Sequence, residues 1–457
     1  MIFQQLVNDD AGCLSYLIGC GRSGVGAIVD PGRDRVSDYV TLARRKGLTI
    51  THVVETHLHA DHVSGNQALA AQTGATIYIH AAAEARYRHL PVEDGNELRV
   101  GSVNLRVLHT PGHTPDSIAL LVTDESRGSE PWFVLTGDTL FVGDVGRPDF
   151  GGETAASELY RSLTGRLLVL GDSVEVYPAH GGGSICGRAM SSKTASTIGF
   201  ERRFNPALRA RDEEEFVKNL LIGLPPMPPN FKAIVERNRS GGLLERAEPR
   251  AFTPREVREL IDDGAVLLDV RGPAEFGEGH VPGAVNVAIE SPQFAERCAW
   301  LIPQNAAIVL VAAGPTDLSR AVAGLSRVGF DRAKGYLQRS MTEWRGEGLP
   351  IEAVPQISVH DLATWREEHP ELVVVDVREP FEWEEGHIAG AVHLPMREAV
   401  TRRGEVPGDR PKAVLCAGGL RSSAVISALK RSGVGGPWYN VSGGMTAWEK
   451  AGYALVR

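Results

Sequence analysis

The chain has 457 residues, 42% hydrophobic and 23% charged, ordinary globular material and enough for about three domains at roughly 100–200 residues each. Its 48 basic and 57 acidic residues leave a formal charge of −9, which argues against a general nucleic-acid binder and against a protein held on anionic membranes. No apolar run approaches the roughly 18 residues of a membrane span, Asp9-Asp10 stands where a secretory leader needs positive charge, and five scattered cysteines make no disulfide framework. A reducing cytoplasm is the expected location.

Apolar β-type runs are expected at 50–55, 76–79, 103–108, 118–122, 132–135 and 174–177, with helices at 64–73 and 213–221. A proline-rich stretch at 224–229 stiffens the chain, and Arg239-Ser240-Gly241-Gly242 is expected to be flexible. Beyond it the chain repeats itself. Asp269-Val270-Arg271 and Gly279-His280 return as Asp376-Val377-Arg378 and Gly386-His387 at a constant offset of 107 residues. That period is far too long for a solenoid, so it marks two copies of a domain. In both copies a buried-type run (266–270, 373–377) alternates with helical stretches, the pattern of a parallel sheet flanked by helices. The expected domains are 1–240, 250–350 and 356–457.

In the first domain, Thr56-His57-Leu58-His59-Ala60-Asp61-His62 follows directly on the run at 50–55. His113, Asp138 and His180 each follow a later run. Strand ends of this kind project polar side chains into a shared crevice. One such histidine is usually a hydrogen-bonded polar residue. Seven imidazoles and carboxylates together suit a transition metal such as Zn, Mn or Fe.

This set resembles the metallo-β-lactamase superfamily over about residues 1–240, which implies an αββα sandwich with metals at one edge. Ligand count alone suggests a two-zinc, glyoxalase II-type thioester hydrolase. The stretch Val142-Gly143-Asp144-Val145-Gly146-Arg147-Pro148-Asp149-Phe150 instead resembles the loop of persulfide dioxygenases, which oxidise a glutathione-type persulfide to sulfite. That resemblance implies one Fe(II), held by His57, His113 and Asp138, with O2 as co-substrate. His59, Asp61, His62 and His180 then orient ligands or remain as a vestigial second metal site. The sequence leaves one metal against two open. Arg147 is expected either to pair with a substrate carboxylate or to fix its loop. Cys186 stands near the metal edge or is packing; Cys13, Cys20 and Cys298 are expected to be packing. The resembled family also implies a homo-oligomer.

In the last copy, Cys416-Ala417-Gly418-Gly419-Leu420-Arg421 joins a strand to a helix. The loop N–H groups, the helix dipole and Arg421 favour an anion and should hold the thiol partly as thiolate. The C-x4-R spacing is one residue shorter than the phosphate loop of cysteine phosphatases and suits a single sulfur atom. With Asp376-Val377-Arg378 and Gly443-Gly444-Met445, residues 356–457 resemble a rhodanese sulfurtransferase, which implies Cys416 as nucleophile and Arg421 as its cation. In the middle copy Val311 aligns with Cys416 and Cys298 lies outside the loop. Residues 250–350 therefore resemble an inactive rhodanese, expected to position the active copy or to make subunit contacts.

Together these imply an α/β protein that oxidises a low-molecular-weight thiol persulfide with Fe(II) and O2 to sulfite and thiol. Cys416 persulfide transfer would form or consume thiosulfate. The thiol carrier and the direction of transfer stay open, beside the hydrolase reading and a non-catalytic sulfur-relay scaffold.

Overall fold

Strand alternation builds the first half. In Cys13–Cys20, Tyr16 and Ile18 point to one side and Leu17 to the other, as the two-residue strand period demands. The computed structural model describes residues 1–8, 12–148, 150–182, 187, 190–224, 226–241 and 249–457. It divides into two units, Met1–Leu244 with Ser326–Gly329, and Glu245–Leu325 with Phe330–Arg457. Among the described residues no helix is long and apolar enough to cross a membrane.

The first unit holds two six-stranded sheets, each in chain order. One runs Ile2–Asn8, Cys13–Cys20, Val25–Val29, Thr49–Val54, Thr76–His80 and Leu90–Val92. The other runs Glu97–Val100, Val103–His109, Ile118–Asp124, Phe133–Gly137, Glu175–Pro178 and Ser196–Thr197. Tyr16, Val29, Leu105, Leu120 and Phe133 fill the space between them. Outside the first sheet, the Val36–Arg45 helix packs Tyr39 and Ala43 on Leu17, Ile28 and Val53. Outside the second, Leu159 of the Gly152–Ser162 helix and Phe216 of Glu213–Leu221 pack on Val134 and Val176. The layers are helix, sheet, sheet, helix.

Two expectations need correction. Three strands precede the expected ones, Ile2–Asn8, Cys13–Cys20 and Val25–Val29, and their apolar runs are interrupted by glutamines, serine and glycines. Arg239 and Ser240 are not flexible linker but the last turn of a Phe231–Ser240 helix. Phe231, Ile234 and Asn238, at helical spacing, are its buried face, and Gly241 at φ +68° closes it.

The second unit holds two five-stranded parallel sheets of identical order. The first runs Arg250–Phe252, Ala333–Leu337, Ile308–Val311, Val266–Asp269, Val285–Asn286. The second runs Gln356–Ile357, Trp438–Val441, Lys412–Leu415, Val373–Asp376, Val392–His393. Both central pairs are buried on both faces, as parallel strands under helices are. Register corrects the alignment of the copies. Asp269 pairs with Val311 and its equivalent Asp376 with Leu415. Val311 therefore matches Leu415, and Ala312 stands opposite Cys416. The slip arises because the loop before the Pro315–Arg327 helix is one residue shorter than that before Leu420–Arg431.

Candidate metal centre and sulfur-transfer loop

The strand Thr49–Val54 ends at the edge of the first sheet, and the chain turns there through His57, His59, Asp61 and His62, all buried. His113, Asp138 and His180 arrive from the ends of second-sheet strands. Among the described residues three groups result, each with ligand atoms within 4.8 Å of one another: His57, His113 and Asp138; Cys13, Asp61, His62 and His180; and Asp30, Glu55 and His59.

Hydrogen bonds set the tautomers of the first group. The Thr56 hydroxyl donates to Asp30 Oδ2 at 2.8 Å, so it accepts from His57 Nδ1 at 3.0 Å. His113 Nδ1 donates to the Arg147 carbonyl at 2.8 Å. Each ring thus keeps its proton on Nδ1 and turns the Nε2 lone pair inward. Those nitrogens lie 3.9 Å (His57) and 3.6 Å (His113) from Asp138 Oδ2. Burial, joined by His59 and His113, holds His57 well below its ordinary pKa against the pull of Asp138. Burial would raise Asp138, but His180, His57 and His113 outweigh it and keep the carboxylate ionised.

These residues fit a metal. His57 Nε2 and Asp138 Oδ2 are buried without a hydrogen-bond partner, a costly arrangement unless a cation completes it. Two imidazoles and one carboxylate are the donor set of non-haem iron oxygenases.

The remaining predicted groups engage one another. His180 spans Asp138 Oδ1 at 2.7 Å and Asp61 Oδ2 at 2.9 Å. His62 Nδ1 sits 3.2 Å from Asp61 Oδ1, and although burial lowers it, Asp61 lifts it to about 9. His59 Nε2 lies 3.2 Å from Asp30 Oδ1 and 3.4 Å from Glu55 Oε2. Against the effect of burial those carboxylates hold it well above its ordinary pKa.

Cys13 is not simple packing: its Sγ is 3.4 Å from Asp61 Oδ2, within the second group. Sequence reading also missed Asn238, whose amide donates to the carbonyls of His59 and His62 at 2.8 Å each and whose Oδ1 accepts from Ser64 N. No motif flags it, since it lies 176 residues beyond the loop it pins. Arg147 is buried; its carbonyl is the group that orients His113. Gly146 explains part of the loop pattern, because a Cβ there would fall 1.9 Å from the Asp138 carbonyl oxygen. Cys20 lies apart, with hydrogen bonds from Ser102 and Ser23 lowering its thiol to about 6. Asp149 and Cys186 lie outside the described residues.

In the second unit, Cys416 follows the Lys412–Leu415 strand and opens onto the Leu420–Arg431 helix. Gly419, at φ +100°, turns its N–H onto the sulfur at 3.0 Å. Gly444, at φ +51°, packs so close that a Cβ would meet the Cys416 carbonyl at 2.0 Å, and Met445 N donates to that carbonyl. Ser422 Oγ is 3.6 Å from the sulfur. Arg421 sits beside the loop, but both its terminal nitrogens bond Glu382, at 2.6 Å each. Cys298, on the Phe294–Leu301 helix, is buried, and burial drives its thiol well up.

Comparisons with known proteins identify the families of both regions. The Metallo-beta-lactamase superfamily matches residues 8–180, and the Rhodanese-like domain matches twice, over 253–347 and 358–451. A crystal structure of a metallo-beta-lactamase from Staphylococcus aureus subsp. aureus COL is 31% identical, with TM-score 0.66, and the match covers 73% of this chain and 98% of that one. Human mitochondrial persulfide dioxygenase ETHE1 is 29% identical over 218 residues, 48% of this chain and 80% of its own. A hydroxyacylglutathione hydrolase of Nitrosococcus oceani is 35% identical over 169 residues, 36% of this chain and 61% of its own. The chain belongs to the metallo-β-lactamase superfamily, with two rhodanese-like domains following its lactamase-fold region.

Proposed function

We propose that the chain oxidises a low-molecular-weight thiol persulfide, RSSH + O2 + H2O → RSH + SO3²⁻ + 2H⁺, and exchanges sulfane sulfur between thiosulfate and a Cys416 persulfide. One observation carries the first half: His57 Nε2, His113 Nε2 and Asp138 Oδ2 converge in one buried group, with the Nδ1 atoms of both rings engaged by Thr56 and the Arg147 carbonyl. That donor set, two imidazoles and one carboxylate, supports one Fe(II) held by His57, His113 and Asp138. When bound, such an iron supplies oxygen activation at its open positions. Thr56 and the Arg147 carbonyl hold the two imidazoles in ligand form, and His180 holds Asp138 with one oxygen turned inward. Similarity to a persulfide dioxygenase over 80% of that protein's length, against 61% for the hydrolase, supports the same choice.

In the second half the Cys416 thiolate attacks the sulfane sulfur of thiosulfate, and sulfite leaves with the electron pair of the broken S–S bond. The reverse step, sulfite attacking the Cys416 persulfide, forms thiosulfate. Having both sites on one chain raises the effective concentration of sulfite at its acceptor.

The test supplies Fe(II)-loaded protein with glutathione persulfide and coenzyme A persulfide, and follows O2 uptake, sulfite and thiosulfate. Oxygen uptake matched by sulfite plus thiosulfate is the expected result. Protein that consumes no oxygen but hydrolyses S-lactoylglutathione with two zinc ions per chain overturns it.

A further inference from the structure

Arg421 is the cation that the loop pattern places at the sulfur, yet its charge is already matched by Glu382. Arg378 is likewise committed to Asp376 and to the Gly386 carbonyl, and Arg397 stands 3.5 Å from Glu379. One more guanidinium lies on a helix packed against the helix of this loop, and it comes from the copy without a nucleophile.

Arg297 lies on the Phe294–Leu301 helix of the middle copy, which packs against the Leu420–Arg431 helix behind Cys416. The two copies are latched there by buried polar bonds. Asn286 N donates to Ser427 Oγ at 2.8 Å, and Ser423 Oγ donates to Asn286 Oδ1 at 2.6 Å. Arg397 of the last copy also covers the ring of Trp300, three residues along the same helix, at 5.9 Å. This seating brings the half-buried Arg297 close enough for its charge to act on Arg421 and Cys416. The carboxylates that it senses are Glu296, its buried chain neighbour, and Glu379, which faces Arg397. Among the described residues its side chain has no hydrogen-bond acceptor and no ion-pair partner. Burial accordingly lowers it to about 10. A guanidinium drawn out of water without a fixed partner is costly, and an anion in front of it relieves that cost.

We propose that Arg297 binds the sulfonate-type oxygens of thiosulfate or sulfite at the Cys416 site, so that the Cys-less copy supplies half of the sulfurtransferase centre. The inference rests on the reading of Cys416 as a sulfur-transfer nucleophile. In the transfer, a bond forms between the Cys416 sulfur and the sulfane sulfur while the S–S bond of thiosulfate breaks. The electron pair leaves with sulfite, no proton moves, and no net oxidation occurs. Arg297 pairs with the sulfonate oxygens before the step and with sulfite after it.

Two measurements on the full chain test this with Arg297→Ala, Arg297→Gln and Arg297→Lys. The first is thiosulfate:cyanide sulfurtransferase activity. Ala and Gln should raise KM for thiosulfate by about 10–100-fold, the worth of a charged hydrogen bond, with a much smaller change in kcat and with partial recovery in Lys. The second is alkylation of Cys416 by anionic iodoacetate against neutral iodoacetamide, read by mass spectrometry of the Cys416 peptide. Loss of Arg297 should lower the iodoacetate to iodoacetamide rate ratio by about tenfold, and the ratio should recover in Lys. A mere packing role, or a change in thiolate fraction, slows both reagents alike and leaves the ratio unmoved. Gln keeps the side chain's bulk if Ala opens a hole. An unchanged ratio in Ala and Gln overturns the proposal. Wild-type protein without thiosulfate turnover overturns the sulfurtransferase reading instead, and the alkylation ratio still decides whether Arg297 presents an anion site.

Discussion

His180 Nδ1 stands 2.7 Å from Asp138 Oδ1, and the other oxygen of that carboxylate is left bare. A ring that also reaches Asp61 at 2.9 Å can donate to both carboxylates only as imidazolium. On the proposed one-iron reading, His180 aims Asp138 through this bond. His180→Gln should keep the iron site but weaken it by about 10–100-fold. Asp138→Ala should abolish binding and lower oxygen uptake by more than about 100-fold. Chelator competition for Fe(II), read beside an oxygen electrode, checks both.

Gly146 lies against the same aspartate through its backbone, with no room for a methyl group beside the Asp138 carbonyl. Gly146→Ala should cost about 1–3 kcal/mol of stability and reduce iron content at a fixed metal concentration. Calorimetry and metal analysis on one preparation measure the two effects.

Cys416 sits in the other unit from the donors, so the two chemistries should separate. Cys416→Ser is expected to retain oxygen uptake with a thiol persulfide while sulfite accumulates in place of thiosulfate. Ion chromatography of the products against oxygen consumed is the measurement. Loss of oxygen uptake in this variant would contradict the proposed division of labour.

Glu382 ties down Arg421, and its acidity follows. Burial alone would raise the carboxyl, but the Arg421 guanidinium outweighs it and holds it below the ordinary 4.5. A depressed folded pKa stabilises the fold above the unfolded value, and that contribution is lost as pH falls through the folded one. Acid unfolding of the rhodanese-like half should therefore steepen below about pH 4.5, and Glu382→Gln should flatten that limb. Circular dichroism across pH 3–6 resolves the difference.

The seven donors were legible because four crowd one motif after a single apolar run and three follow later runs, and strand ends converge by topology. Their partition was not. That His180 bonds Asp138 while His59 turns to Asp30 and Glu55 depends on side-chain geometry, which spacing does not encode. Cys13 looked like packing because its partners Asp61 and His62 lie about 50 residues away across the sheet edge. Both copies of the repeat were legible from one offset at their first motifs, but that offset does not hold as far as the loop, where only strand register sets Val311 against Leu415. Arg297 carries no signal of its own. It acquires meaning only when one copy's helix is stacked on the other's loop.

The converging trio draws on both halves of the sandwich: His57 follows a strand of the first sheet, His113 and Asp138 strands of the second. An ion gripped there acts as a clasp on the open edge, since prising the sheets apart must release it. Resistance to heat and to proteases should then climb with free iron, by RT ln(1 + [Fe]/Kd). On the proposed one-iron reading, iron shortage would shorten the life of the chain as well as its activity.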